Sequence, residues 1–170
     1  MEIVPVKDIP KASPVPLDDP LDVYKVCSQM EKVCSEAGGV GLSAVQVGVP
    51  WNLFLILVDN KAKHYRYMVN CEYTPVDEDD RVKTIEGCLS LLNEEGEFRR
   101  FEVMRYRAVN VEGLELRCSP DLHFHNHSAV YNLDDEHSQT PLAIVVQHEI
   151  DHAYQRDKMI DAIGTEIELR

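Results

Sequence analysis

Residues 142–152 read Leu142-Ala143-Ile144-Val145-Val146-Gln147-His148-Glu149-Ile150-Asp151-His152. Thr140-Pro141 precedes them, an N-cap residue followed by proline at the first helical position. A helix whose opening turns are apolar on every side is buried, so the spacing predicts a core helix from 141 to roughly 156. On it, His148 and His152 lie one turn apart, ~6 Å along the axis and about 40° around it. Two imidazoles at that spacing can hold one metal ion. Glu149 falls within about 60° of His152, near enough to reach water on that ion without ligating it. Two surface histidines on an amphipathic helix is the plainer alternative, but a buried His-Glu-His without a ligand is costly.

A catalytic metal usually takes three protein ligands. The longer H-E-x-x-H-x-x-G-x-x-H pattern needs Gly and His where Gln155 and Lys158 stand. Glu166 and Glu168 follow too closely for a second helix to present them. Upstream, Glu86-Gly87-Cys88-Leu89-Ser90 offers a thiolate, a strong ligand, behind a Gly that lets backbone approach a crowded site. Taken alone, Cys88 reads as a small buried hydrophobe sooner than as a ligand, the default that Cys27, Cys34, Cys71 and Cys118 keep. A third segment, Gly39-Val40-Gly41-Leu42-Ser43-Ala44-Val45-Gln46, has small residues suited to a strand edge beside a ligand. It lacks the G-K-[ST] ending of a phosphate loop.

Together and in this order, the segments 39–46, 86–90 and 147–152 resemble the three signature motifs of peptide deformylases, over residues 1–163. The resemblance implies one divalent metal held by Cys88, His148 and His152, Fe2+ in the cell with Zn2+, Ni2+ or Co2+ able to replace it. It implies Glu149 as acid and base, with the Gln46 amide and the Leu89 N–H on the oxyanion. Glu86 would pair with an arginine on a following strand, for which Arg100 is the expectation. The implied substrates are N-formyl-methionyl nascent peptides, with formate released and a passing contact with the ribosome. Substrate backbone would pair with Gly39, Val40, Gly41 and Leu42, and the methionine side chain would meet Val40, Ile144, Val145 and the His148 ring. Ile144 and Val145 serve equally as ordinary core.

Three departures stand out. Ser43 replaces the usual Ala, Ala153-Tyr154-Gln155 replaces Leu-x-Gly, and residues 114–139 form a longer segment than is usual. With 18 residues past His152, the resemblance is to the short form without the long C-terminal helix of many bacterial members. A small H-E-x-x-H metallopeptidase cutting internal bonds is one rival reading; a non-catalytic binder of formylated N-termini is another. Neither accounts for both residues 86–90 and an intact set of reacting groups.

The rest of the chain agrees. Its 170 residues suit a single catalytic domain, 1–170, and 44% hydrophobic residues can fill a core. Seventeen Lys and Arg against thirty Asp and Glu give −13, a field that repels nucleic acid and anionic lipid. No signal or transit segment is apparent at the N-terminus, and five scattered cysteines suit a reducing compartment, so the expected location is cytoplasmic. Val23, Val26, Cys27, Met30, Val33, Cys34 and Ala37 predict an amphipathic helix over 20–37, capped by Asp18 or Asp19 and stopped at Gly38-Gly39. Trp51–Val58, Tyr65–Asn70 and Arg99–Val111 read as strands, and Leu116–Gln139 as a hairpin with a loop. His123, His125 and His127 would share one face of an exposed strand. The expected fold is α+β, with antiparallel sheets around the buried helix and the N-terminal helix packed outside.

Overall fold

A computed structural model describes residues 1–135 and 141–156. The Thr140 cap, Lys158, Glu166 and Glu168 lie outside the described residues.

Helix α1 spans Pro20–Glu36, with Asp19 as its N-cap accepting a hydrogen bond from Leu21 N at 2.9 Å. Val23, Cys27, Met30 and Cys34 recur every three or four residues and are its buried side. They pack on Leu42, Leu53, Leu55 and Leu89 in the first of two large apolar clusters.

Strands β1 (Gly41–Ser43), β2 (Leu53–Asp59), β3 (His64–Pro75), β6 (Ala108–Arg117) and β7 (His123–Asn132) form one antiparallel sheet in the order β1-β2-β3-β6-β7. Strands β4 (Arg81–Leu92) and β5 (Phe98–Tyr106) form a separate two-stranded ribbon. The sequence run 99–111 is therefore two strands in two sheets, divided at Arg107. There Arg107 N donates to Asp80 O at 3.0 Å, and its guanidinium reaches Asp80 and Asp134. The crossing carries no Gly or Pro, so alternation alone does not reveal it.

Helix α2, Leu142–Ala153, is buried from Val145 to Ala153. Its N-cap position is occupied by Pro141, so the helix begins one residue later than expected. Val145, Val146 and Ile150 meet Phe54, Ile56, Met68 and Val111 in the second cluster, so the sheet wraps one side of the helix. The expected α+β architecture is the observed one.

Strand β3 carries a bulge. Its register with β6 shifts between Val69 and Glu72, and Asn70 sits at φ 52°. The Asn70 amide exchanges two hydrogen bonds with Val15, at 2.7 and 3.3 Å, and so ties down the N-terminal arm. The extra residue resets the alternation. Met68 faces the α2 cluster, and beyond the bulge Cys71 and Tyr73 join it. Without the shift, Glu72 would face the helix instead.

The end of α2 is closed by a Schellman pair. Gln155 N donates to His152 O at 3.3 Å and Arg156 N to Asp151 O at 2.8 Å. Gln155 holds the left-handed position, φ 54°, where glycine is favoured. Gln155→Gly is therefore expected to stabilise the protein by about 0.5–1 kcal/mol, read from the midpoint of urea unfolding. An unchanged or lower midpoint would contradict this.

Candidate metal centre

Period two on the ribbon turns Thr84, Glu86 and Cys88 of β4 inward, together with Phe101, Val103 and Arg105 of β5. Helix α2 brings His148 and His152 to the same point. Cys88 Sγ lies 3.4 Å from His152 Nε2, and the two Nε2 atoms are 3.1 Å apart. The three donor atoms fall within 4.8 Å of one another and all are buried. A tetrahedral ion with bonds of about 2.3 Å to sulfur and 2.05 Å to nitrogen needs edges of ~3.6 and ~3.3 Å. The donor set fits a metal ion in both chemistry and size.

The electrostatics point the same way. Burial pushes the Cys88 thiol up, but His152 and His148 beside it outweigh this and bring it to about 6. The shift favours the thiolate, the form that ligates a metal. Among the described residues this is the only cluster of His, Cys, Asp and Glu so arranged. The His123, His125 and His127 face forms no second one: His127 Nε2 lies 3.0 Å from the Tyr131 hydroxyl, and His125 is exposed.

Glu86 receives the far side of His148, Nδ1 to Oε1 at 2.9 Å. Its arginine partner is Arg105, not the expected Arg100. Arg105 Nη2 and Nε donate to the two Glu86 oxygens at 2.8 and 2.9 Å, and Nη1 to Asp151 Oδ2 at 2.8 Å. The physical reason is parity. Arg100 pairs with Gly87, on the opposite face of the ribbon from Glu86, whereas residues 101, 103 and 105 share the inward face. Burial opposes the Glu86 charge, but His148 and Arg105 hold its carboxyl well below the usual carboxylate range. Asp151, a variable position of H-E-x-x-H, carried no role in the sequence reading; the Arg105 bond gives it one.

Two further side chains at the centre, Glu149 of α2 and Gln46, are placed by a glycine and by a turn. A Cβ on Gly41 would stand 2.8 Å from Glu149 Oε1, so only glycine lets the carboxylate lie against β1. After β1 a 3-10 turn over Ala44–Val47 brings Gln46 back; its Oε1 accepts from Ser43 N at 2.9 Å, and its Nε2 reaches Cys88 Sγ and Ser90 Oγ, both at 3.3 Å. Pairing of β4 with β5 lapses between Gly87 and Leu92, which frees the main chain at Leu89 from the ladder.

A cavity of about 390 Å³ opens over these groups. Gly39, Val40, Gly41, Ile144, Val145, His148 and Glu149 line it. Leu42 does not; its side chain is wholly buried against α1. Ile85, Phe98 and Arg100 line it as well, and Arg100 stacks over Phe98 at 6.0 Å. No helix of the described residues is long and apolar enough to cross a membrane.

The family model described as Polypeptide deformylase matches residues 9–155. A peptide deformylase of Chromohalobacter salexigens is 32% identical over 142 residues, covering 84% of this chain and 72% of its own length. One from Zymomonas mobilis is 26% identical, covering 89% and 81%. Among solved structures, a probable peptide deformylase from Synechococcus phage S-SSM7 superposes with a TM-score of 0.71 at 25% identity, covering 95% of this chain and 99% of its own. The Thermotoga maritima peptide deformylase superposes at 0.72 with 24% identity, covering 95% of each, a likeness of fold.

Proposed function

This chain belongs to the polypeptide deformylase family, and from that premise we propose how its residues remove the N-formyl group from the formyl-methionine of nascent polypeptides. The observation that carries the reading is the triangle of Cys88 Sγ, His148 Nε2 and His152 Nε2, with Glu149 on the wall beside it. A divalent ion bound there would supply Lewis acidity and acidify water at neutral pH.

The remaining steps fall to protein groups. Glu149 takes the proton from the attacking water and later returns it to the departing amine. As charge builds on the formyl oxygen, the Gln46 amide and the Leu89 N–H receive it. Formate and a free N-terminus leave. Glu86 holds His148 by Nδ1, which turns Nε2 toward the thiolate.

Strand β1 is at the edge of its sheet, and substrate backbone adds to it along Gly39, Val40, Gly41 and Leu42. Leu42 takes part through its main chain alone. The methionine side chain enters between Val40, Ile144 and Val145. The native ion is Fe2+, which Zn2+, Ni2+ or Co2+ replaces, since a Cys-His-His set binds zinc more tightly than ferrous iron. The protein works in the cytoplasm on chains leaving the ribosome.

Protein purified without oxygen is expected to release formate from formyl-Met-Ala-Ser and to leave an unformylated protein uncut. Chelation abolishes the release and added Co2+ or Ni2+ restores it. Metal-replete protein that yields no formate would refute the proposal.

A further inference from the structure

The hydrogen bonds around Glu86 do not stop at Arg105. Arg105 Nη1 donates to Asp151 Oδ2 at 2.8 Å, and on the other oxygen of that carboxylate the Tyr73 hydroxyl donates to Oδ1, also at 2.8 Å. Arg156 Nε stands 3.4 Å from the same Oδ1, while its Nη2 donates to Glu72 at 2.8 Å and its guanidinium lies 5.1 Å from the centre of the Tyr73 ring. A continuous chain thus runs from β3 to the centre: Tyr73, Asp151, Arg105, Glu86, His148.

We propose that Tyr73, braced by Arg156, is a positioning residue of the metal centre, acting on His148 through Asp151, Arg105 and Glu86. The proposal rests on the reading of His148 as a ligand. Its force comes from burial. Arg105, Asp151 and Glu86 have side chains 2%, 1% and 5% exposed, so no solvent is at hand to replace a lost donor. One buried guanidinium is shared between two carboxylates. The Tyr73 hydroxyl satisfies part of Asp151 and leaves Arg105 free to hold both oxygens of Glu86. Remove it, and Asp151 competes harder for the fork. The Glu86 carboxylate then loosens, and with it the ring that it orients.

The geometry of α2 adds leverage. Asp151 lies three residues past His148 and one before His152, so the helix is held from β3 on one side and from the ribbon on the other. The bulge at Asn70 makes this possible, since it turns Tyr73 to the helix. The left-handed turn at Gln155 does the same for Arg156.

Tyr73→Phe removes one oxygen and retains the ring. It is expected to weaken Zn2+ binding about tenfold, the lower end for outer partners of a metal-bound histidine. In the Co2+-loaded protein, the d–d bands are expected to move, and kcat to fall several-fold with KM unchanged. Arg156→Met, at a half-exposed position, is expected to shift metal affinity the same way by a smaller factor. If both variants keep wild-type Zn2+ affinity and Co2+ spectrum while only their melting temperatures fall, Tyr73 is merely structural and the proposal fails. Wild-type protein whose Co2+ complex lacks a thiolate charge-transfer band would overturn the ligand reading itself, and this proposal with it.

Discussion

Replacing Glu149 with Gln is expected to leave metal content unchanged and to lower turnover of a formyl-peptide by about 10²–10⁴-fold. The amide has the shape of the carboxylate, so it still fits against Gly41, where no Cβ could be accommodated. It neither ligates nor alters the thiolate. What it loses is the capacity to accept a proton from water and deliver it to the leaving amine. Formate release measured beside elemental analysis separates the two effects. A variant that turns over within a few-fold of wild type would remove Glu149 from the reaction; one that loses its metal would make it structural.

The second large effect is expected at Arg105. Its guanidinium satisfies two carboxylates in a site with almost no solvent. Arg105→Leu removes the one cation that the buried Glu86 and Asp151 share, and breaking such a pair costs about 3–5 kcal/mol. Metal affinity is expected to fall about 10–100-fold, because Glu86 then orients His148 without support. Arg100→Leu is the control. That side chain is half-buried at the cavity rim, and its replacement is expected to change stability by no more than about 0.5 kcal/mol. Equal unfolding midpoints for the two variants would contradict the assignment of the buried partner.

That contrast also shows how far the residues alone could be read. The core helix was legible because apolar residues on every side ran straight into the histidines. Cys88 was not legible by itself, since nothing local separates a ligand from a small buried hydrophobe; it depended on three motifs in order. Arg105 was within reach of simple alternation: Phe101, Val103 and Arg105 share parity, and an arginine that continues an apolar inward face needs a buried anion. Arg100, the expected partner, is out of phase with that face. The roles of Tyr73 and Asp151 were out of reach, because they depend on a bulge that resets which side of β3 meets the helix. The break at Arg107 was hidden for a similar reason, as it is made by partners at Asp80 and Asp134, far off in sequence.

The ribbon of β4 and β5 shares no ladder hydrogen bonds with the larger sheet among the described residues, and its own apolar cluster is small: Cys88, Leu91, Phe101 and Val103, with Val6 against them. One sulfur on this flap faces two nitrogens on the helix across the seam. An ion seated there would act as a rivet as well as a reagent, closing a loop of some sixty residues between Cys88 and His148. Occupancy and the firmness of the flap would then be a single equilibrium, in which each filled centre holds shut the wall of the cleft where its own chemistry takes place.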